Sequence, residues 1–266
     1  MLSLCKRTCF LTLVFSVVLG FDMTARAHEG LHFTHPIIAE SPSPDTKVRA
    51  DYLFMDVNEN GEKLNEHGVN FEGEYAFTHS FSIEVDAPFV VVDPNGAASM
   101  SHLGNMGLSF KFANFAFADH GILLGYGIEF GLPTGDEERG IGNDHLVDIE
   151  PFFDIGYKRG DLEVVAFTSF GIPINQDQGE EVETELGYNL SFLYHVSHRF
   201  AGLIEFDGFT VLSGMEDGNS VVNITPGFKV KPTQNNNFEL GAGVSFPLTD
   251  RREFDVKAKI SAFYHF

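Results

Sequence analysis

The chain has 266 residues and a formal net charge of -21 at pH 7, because 38 acidic side chains outnumber 17 basic ones. This surplus of acid argues against nucleic acid as a partner, since a phosphate backbone attracts basic surfaces. The composition also includes 28 Phe and 27 Gly but no Trp. Phe and Gly in such amounts suit a sheet with one apolar side and one crowded inner side.

The first 27 residues have the pattern of a secretory signal peptide. A charged start with Lys6 and Arg7 is followed by an apolar stretch at residues 10–19 and by the small residues Ala25 and Ala27. The apolar stretch is shorter than the roughly 20 residues that a membrane-spanning helix needs. We predict cleavage before His28, which gives three regions: a signal peptide at 1–27, a flexible tail rich in His and Pro at 28–45, and a β-barrel at 46–266.

Twelve runs after this tail alternate between apolar and polar side chains. A period of two places successive side chains on opposite faces of a strand, and most runs reach the roughly 9–11 residues that a tilted strand needs to cross a bilayer. The predicted strands are Val48–Asp56, Val69–Phe77, Phe81–Val90, Met106–Ala113, Gly121–Leu132, Leu146–Tyr157, Leu162–Ile172, Val182–Val196, Phe200–Leu212, Val221–Lys231, Phe238–Leu248 and Phe254–Phe266.

The links between these runs alternate in length. Long links such as 57–68, 91–105 and 133–145 are separated by short turns such as 78–80 and 197–199. This alternation predicts an all-β fold, a single up-and-down antiparallel transmembrane β-barrel of about 12 strands, closed by pairing the last strand with the first. The alternatives are ten or fourteen strands, a secreted two-sheet sandwich, or an autotransporter-like fragment.

The polar face of each predicted strand should line the barrel lumen, and it has more acidic than basic residues. One interpretation is that these charges pair with each other and fill a narrow interior. The other is an acidic, water-filled path that favours cations or neutral solutes over anions. The predicted lumen-lining residues are Glu72, Glu74, Glu129, Asp148, Glu150, Glu183, Glu185, Glu205, Asp207, Glu239, Lys257 and Lys259.

A histidine motif opens the predicted mature chain. His28, Glu29 and His32 match the H-E-x-x-H pattern of zinc proteases, which requires a helix. Gly30 and the Pro-rich residues that follow disfavour that helix, so a flexible tail is the preferred interpretation. Weak metal capture by His28, His32 and His35 is the alternative, and we predict no catalytic residue and no cofactor.

The central part of the chain resembles a known family. Residues 107–112, 121–136 and 140–142, which include the element Leu132-Pro133-Thr134-Gly135-Asp136, resemble the outer-membrane family named for the MetA pathway of phenol degradation. Residues 225–228 and 241–248 look similar to the closing strands of that family. The resemblance implies a β-barrel that passes small, often apolar or aromatic, compounds across the outer membrane. It supplies no catalytic residues.

Together these patterns predict a passive channel in the outer membrane of a Gram-negative bacterium. We expect a monomer in contact with outer-membrane lipid, with both mature termini in the periplasm. Phe266 ends the last strand as an aromatic residue, as in the signal that the barrel-assembly machinery reads. The first alternative is a closed barrel with a structural, adhesive or ligand-binding role. A membrane-embedded hydrolase is the second, and no nucleophile motif favours it.

Overall fold

The chain forms a closed antiparallel β-barrel. In the computed structural model, residues 31–59, 62–94, 99–175, 183–233 and 237–266 are described, so the predicted signal peptide and His28 lie outside the described residues. The strands are β1 Lys47–Glu59, β2 Glu62–Thr78, β3 Phe81–Pro94, β4 Met100–Leu103, β5 Met106–Asn114, β6 Ile122–Leu132, β7 Val147–Arg159, β8 Leu162–Ile174, β9 Glu185–Ser197, β10 Phe200–Val211, β11 Ser220–Val230, β12 Phe238–Pro247 and β13 Val256–His265.

The barrel closes between its first and last strands. β1 pairs with β2 on one side and with β13 on the other, so that Val48 lies opposite Tyr264 and Asp56 lies opposite Val256. Every other neighbour in the ring follows in chain order, apart from the short β4. Twelve strands therefore form the barrel, as the sequence predicts, and closure leaves no unpaired sheet edge in the ring.

The distribution of side chains is the reverse of that in a water-soluble protein. Large aromatic residues such as Phe71 and Tyr75 are 61% and 57% exposed, whereas Lys47 and Lys229 are 1% and 2% exposed. A soluble sandwich would bury its apolar faces between two sheets. An apolar exterior around a charged interior is instead the pattern of a barrel surrounded by lipid.

Two links are shorter than the sequence predicts. Residues 57–68 and 91–105 were expected to be loops, but β1 and β2 extend to Glu59 and from Glu62, and β4 folds back against the end of β3. In residues 57–68 the mostly polar side chains hide the strand alternation, because outside an apolar environment both faces of a hairpin can be polar. Their backbones still pair.

The described links include two short 3₁₀ turns, Ala118–His120 and Glu137–Arg139. Within the described part of the chain, no helix has the length and apolar character to span a bilayer. We call the end of the barrel where β1 begins and β13 ends the terminal rim, and the other end the opposite rim.

Candidate functional site

The terminal half of the lumen is filled by the chain itself. Residues 31–46, here called the tail, have no regular secondary structure, yet most of them are buried. Phe33 and Ile37 are 0% exposed and Ala39 is 4% exposed. The composition predicted a flexible segment, but the composition of a segment does not show which contacts the surrounding barrel wall can make with it. Here the wall supplies apolar contacts and partners for the tail backbone.

Glycines on the inner wall create the space for the tail. An added Cβ at Gly156 would lie 2.6–2.9 Å from the ring of Phe33, and one at Gly241 would lie 3.3 Å from Ile37. The ring of Phe33 also packs against Leu123 and other buried apolar residues. Glycine on the polar face of a strand leaves space inside the barrel, and at Gly241 a side chain of the tail fills this space.

Replacing Gly156 by Ala should therefore loosen the tail. The new methyl group would overlap the ring of Phe33, and overpacking of this kind costs about 1–3 kcal/mol of unfolding free energy. The measurement is urea unfolding of the refolded protein in detergent. Gly202→Ala is the matched control, because no atom lies within 4 Å of its added Cβ. Equal stability of the two variants would contradict a packed tail.

Charged wall residues hold the tail backbone. The carboxylate of Glu205 accepts the backbone N–H groups of Ile37, Ile38 and Ala39 at 3.0, 3.1 and 3.1 Å. The Glu163 carboxylate accepts the N–H of Thr34 at 2.8 Å. Hydrogen bonds to charged groups are stronger than neutral ones. The tail is therefore held by backbone contacts that do not depend on its own side chains.

Basic wall residues complete this attachment. Arg49 donates to the carbonyl of Ile37, Lys229 donates to the carbonyl of His35, and Lys158 donates to the carbonyl of His32 at 3.0 Å. Glu40 of the tail is 2.8 Å from the Nζ atom of Lys111. These contacts give backbone carbonyls in the barrel interior the partners that buried polar groups require.

A buried ion cluster lies beside the tail. The Nζ atom of Lys47 lies 2.6, 2.7 and 2.9 Å from carboxylate oxygens of Glu72, Glu74 and Glu84. Lys111 lies 3.3 Å from the second oxygen of Glu74. A charge removed from water is tolerated only when it is paired. The terminal half of the lumen is therefore packed by paired charges and by the tail.

The opposite half of the lumen contains an acidic vestibule, a cavity of about 550 Å³ that opens at the opposite rim. Six carboxylates line it, and none of the described lining residues is Lys or Arg. The other lining residues are small, amide or apolar. The acidic lining residues of the vestibule are Asp86, Glu129, Asp148, Glu150, Glu183 and Glu185.

The predicted lumen-lining residues separate into two groups in the structure. Glu129, Asp148, Glu150, Glu183 and Glu185 line the vestibule. The remaining seven take part in contacts elsewhere in the barrel. Glu72 and Glu74 pair with Lys47, and Glu239 pairs with Lys229. Glu205 holds the tail, and Asp207 accepts a hydrogen bond from Asn223 at 2.9 Å. The Nζ atom of Lys257 lies 4.6 Å from the ring centroid of Phe254, and that of Lys259 lies 3.0 Å from Asp51.

Histidines gather at the terminal rim around one carboxylate. The Nε2 atoms of His32 and His35 lie 3.6 and 3.4 Å from Oδ2 of Asp45, and Nδ1 of His265 lies 2.6 Å from the same oxygen. Burial, followed by the charge of Lys47, lowers the pKa of His35 to about 3, so its ring is neutral at pH 7. His28 lies outside the described residues. The sequence did not associate Asp45 or His265 with the tail histidines.

One hydroxyl, one imidazole and one carboxylate also meet near this rim. Nε2 of His195 lies 3.5 Å from the hydroxyl of Thr34 and 3.0 Å from the carboxylate of Glu163. A hydrolytic triad uses one ring nitrogen for the nucleophile and the other for the acid. Here the same nitrogen faces both groups. The arrangement therefore does not support the hydrolase alternative.

Comparison with known proteins gives the class of the fold. No protein-family model matches the sequence, and no curated protein sequence matches it. The barrel is similar to the COG4313 outer membrane channel from Pseudomonas putida F1, with a TM-score of 0.68 and 13% identity over 91% of this chain and 100% of that chain.

Two further solved structures share the architecture. The NanC porin aligns with a TM-score of 0.55 and 7% identity, over 83% of this chain and 98% of that chain. The β-domain of the Bordetella autotransporter BrkA aligns with a TM-score of 0.54 and 10% identity, over 84% and 100%. Identities this low establish the fold alone. The chain therefore has the fold of the outer-membrane β-barrels, and the resemblance to the MetA-pathway family has no support from sequence comparison.

Proposed function

We propose that the protein is a passive outer-membrane channel for small cationic or neutral solutes, in which the tail forms the constriction. The observation that carries this proposal is the acidic vestibule, which opens at the opposite rim and is lined by six carboxylates. Carboxylates in a water-filled entrance attract cations and repel anions. The solved barrels with a similar fold include a channel and a porin, which supports the same class of function.

The two rims differ in a way that supports an orientation. Outer-membrane barrels have short periplasmic turns and longer extracellular loops. Turns at the terminal rim, such as the one between Thr78 and Phe81, are tight, whereas β6 and β7 at the opposite rim are joined by residues 133–146. We infer that both termini face the periplasm and that the vestibule faces the cell exterior.

The resemblance implies apolar or aromatic solutes, but the vestibule favours polar ones. Its apolar lining is limited to Met106, Leu146 and Pro173 together with glycine backbone, among the described residues. A site for apolar ligands is usually lined mainly by apolar and aromatic side chains. We therefore assign charged or polar solutes to this entrance.

The second candidate is a closed barrel that acts through its extracellular loops. The filled terminal half of the lumen favours it, because Phe33 and Ile37 occupy the space that a wide channel would leave open. Planar-bilayer recordings of the refolded protein distinguish the two. A channel gives discrete conductance steps with the tail present, whereas a barrel closed by its tail gives none until the tail is deleted.

Removing acid from the vestibule should reduce cation preference. We expect Glu183→Gln/Glu185→Gln to shift the reversal potential in a salt gradient toward zero while the protein still conducts, because two of the six lining carboxylates lose their charge. Glu138→Gln is the control, since Glu138 is exposed on the link between β6 and β7, outside the vestibule lining. An unchanged reversal potential in the double variant would remove these carboxylates from the conduction path.

We also propose that the barrel-assembly machinery recognises the last strand. Phe266 is 76% exposed, and its N–H donates to the carbonyl of Thr46, the residue just before β1. Its ring therefore lies outside the lumen, and its backbone takes part in closing the barrel. This exposed position supports a recognition role for the terminal aromatic residue.

A further inference from the structure

The histidine cluster at the terminal rim has the composition of a metal site. The cluster consists of His32, His35, Asp45 and His265, which line a cavity of about 160 Å³ together with Thr34, Lys231 and Glu239. The ligand atoms of His32, His35 and Asp45 all lie within 4.8 Å of one another. We propose that this cluster binds one divalent transition-metal cation, with His32, His35 and Asp45 as ligands and His265 bonded to the Asp45 carboxylate.

The spacing of the ligand atoms fits this class of cation. Zinc bonds to imidazole nitrogen and carboxylate oxygen at about 2.0–2.2 Å, so neighbouring ligand atoms of a tetrahedral site lie roughly 3.3–3.6 Å apart. The separations from Oδ2 of Asp45 to His35 and His32 are 3.4 and 3.6 Å. Both imidazole nitrogens thus already lie at the separation from the Asp45 oxygen that tetrahedral coordination requires.

The burial of His35 without hydrogen-bond partners is a second, independent indication of a metal site. This side chain is 1% exposed, and neither of its ring nitrogens has a hydrogen-bond partner among the described residues. Leaving a buried polar group without a partner costs about 1–3 kcal/mol. A metal ion between His35 and Asp45 would give the Nε2 atom a partner and so reduce this cost. The nitrogen that faces Asp45 is therefore available as a ligand.

A second group of close carboxylates lies in the lumen, but it is paired with lysines. Glu40, Glu72 and Glu84 lie close together, and each has a carboxylate oxygen within 2.9 Å of the Nζ atom of Lys47 or Lys111. The terminal-rim cluster instead combines imidazoles with one carboxylate. Imidazole ligands favour zinc, nickel, copper or cobalt over magnesium and calcium, which prefer oxygen.

His265 gives the proposed site a connection to the barrel wall. Its Nδ1 atom bonds to Asp45 at 2.6 Å, and a hydrogen bond of this kind orients a metal-binding carboxylate. Two proposed ligands belong to the start of the tail, and Asp45 lies just before β1. A bound cation would therefore fasten the first residues of the tail to the point where the tail joins the barrel.

Metal binding by the folded, untagged protein in detergent tests this proposal. Titration with ZnCl₂, followed by calorimetry and elemental analysis after dialysis, should give one zinc per chain. His35→Gln and Asp45→Asn should each weaken binding by about tenfold or more, since each removes a ligand. The visible spectrum of bound Co²⁺ should show a tetrahedral site in the wild type and lose that signature in both variants.

His198→Gln is the matched control, because His198 is exposed in the turn between β9 and β10 at the same rim. It should bind zinc like the wild type. If His35→Gln fails to fold, His32→Gln replaces it, since the side chain of His32 is 53% exposed. Absence of saturable binding in the wild type, or wild-type affinity in His35→Gln or His32→Gln, would overturn the site and leave the channel proposal unaffected.

Discussion

Deletion of residues 31–44 should increase single-channel conductance several-fold. The tail occupies the terminal half of the lumen, where Phe33 and Ile37 pack against the inner wall. Its removal would join the acidic vestibule to the terminal rim through a water-filled path, because a 12-stranded barrel is too wide for its own wall side chains to fill. Planar-bilayer recordings of refolded wild type and deletion variant provide the measurement.

The deletion also leaves wall charges such as Glu205 without their tail partners, so folding needs its own control. A shift between heated and unheated samples on a gel reports the folded barrel. Phe33→Ser/Ile37→Ser keeps the tail but loses apolar burial worth about 1.5–3 kcal/mol for each side chain. This variant should show frequent transitions to the higher conductance. If folded wild type and both variants conduct equally, the tail does not form the constriction.

Lys47→Met should lower the unfolding free energy by about 3–5 kcal/mol, the usual effect of breaking a buried ion cluster. The substitution removes the cation that lies within 2.9 Å of three carboxylates, those of Glu72, Glu74 and Glu84. These carboxylates would remain buried without their main partner. Urea unfolding of the refolded barrel in detergent or lipid vesicles measures the loss.

The matched control is Lys257→Met, which makes the same change on β13. The Nζ atom of Lys257 lies 4.6 Å from the ring centroid of Phe254, and a contact of this kind contributes about 1 kcal/mol or less. If Lys47→Met does not assemble, adding Glu74→Gln should recover folded barrel, because one buried charge is then removed. A loss for Lys47→Met no larger than that for Lys257→Met would show that the cluster adds little stability.

The first strand shows that a run interrupted by charged residues can still be predicted correctly as a barrel strand. Arg49 and Asp51 interrupt the apolar appearance of β1, but they lie on its inner face, where they pair at 2.9 Å. Arg49 also approaches Glu72 on β2 at 3.5 Å. The alternation alone predicts which face is polar. It does not predict the partner on β2, because that contact depends on the register between the two strands.

The vestibule could be predicted only in part. Glu183 and Glu185 were expected to face the lumen because they share a polar face of their strand. Their convergence with Asp86 and Glu129, without a basic neighbour among the described lining residues, depends on the registers of the five pairings that join β3 to β9. The alternation of polar and apolar residues within one strand does not predict these registers.

By itself, the sequence determined the twelve strands, the polar lumen face and the pairing of β1 with β13, since all three follow from a period of two and from the alternation of long and short links. Only the tertiary structure decided that the tail fills half of the lumen and that His265 meets Asp45, 220 residues earlier in the chain. The physical reason is that an alternating pattern describes only the conformation and facing of residues that are close in sequence. Packing inside a closed ring joins residues from distant parts of the chain.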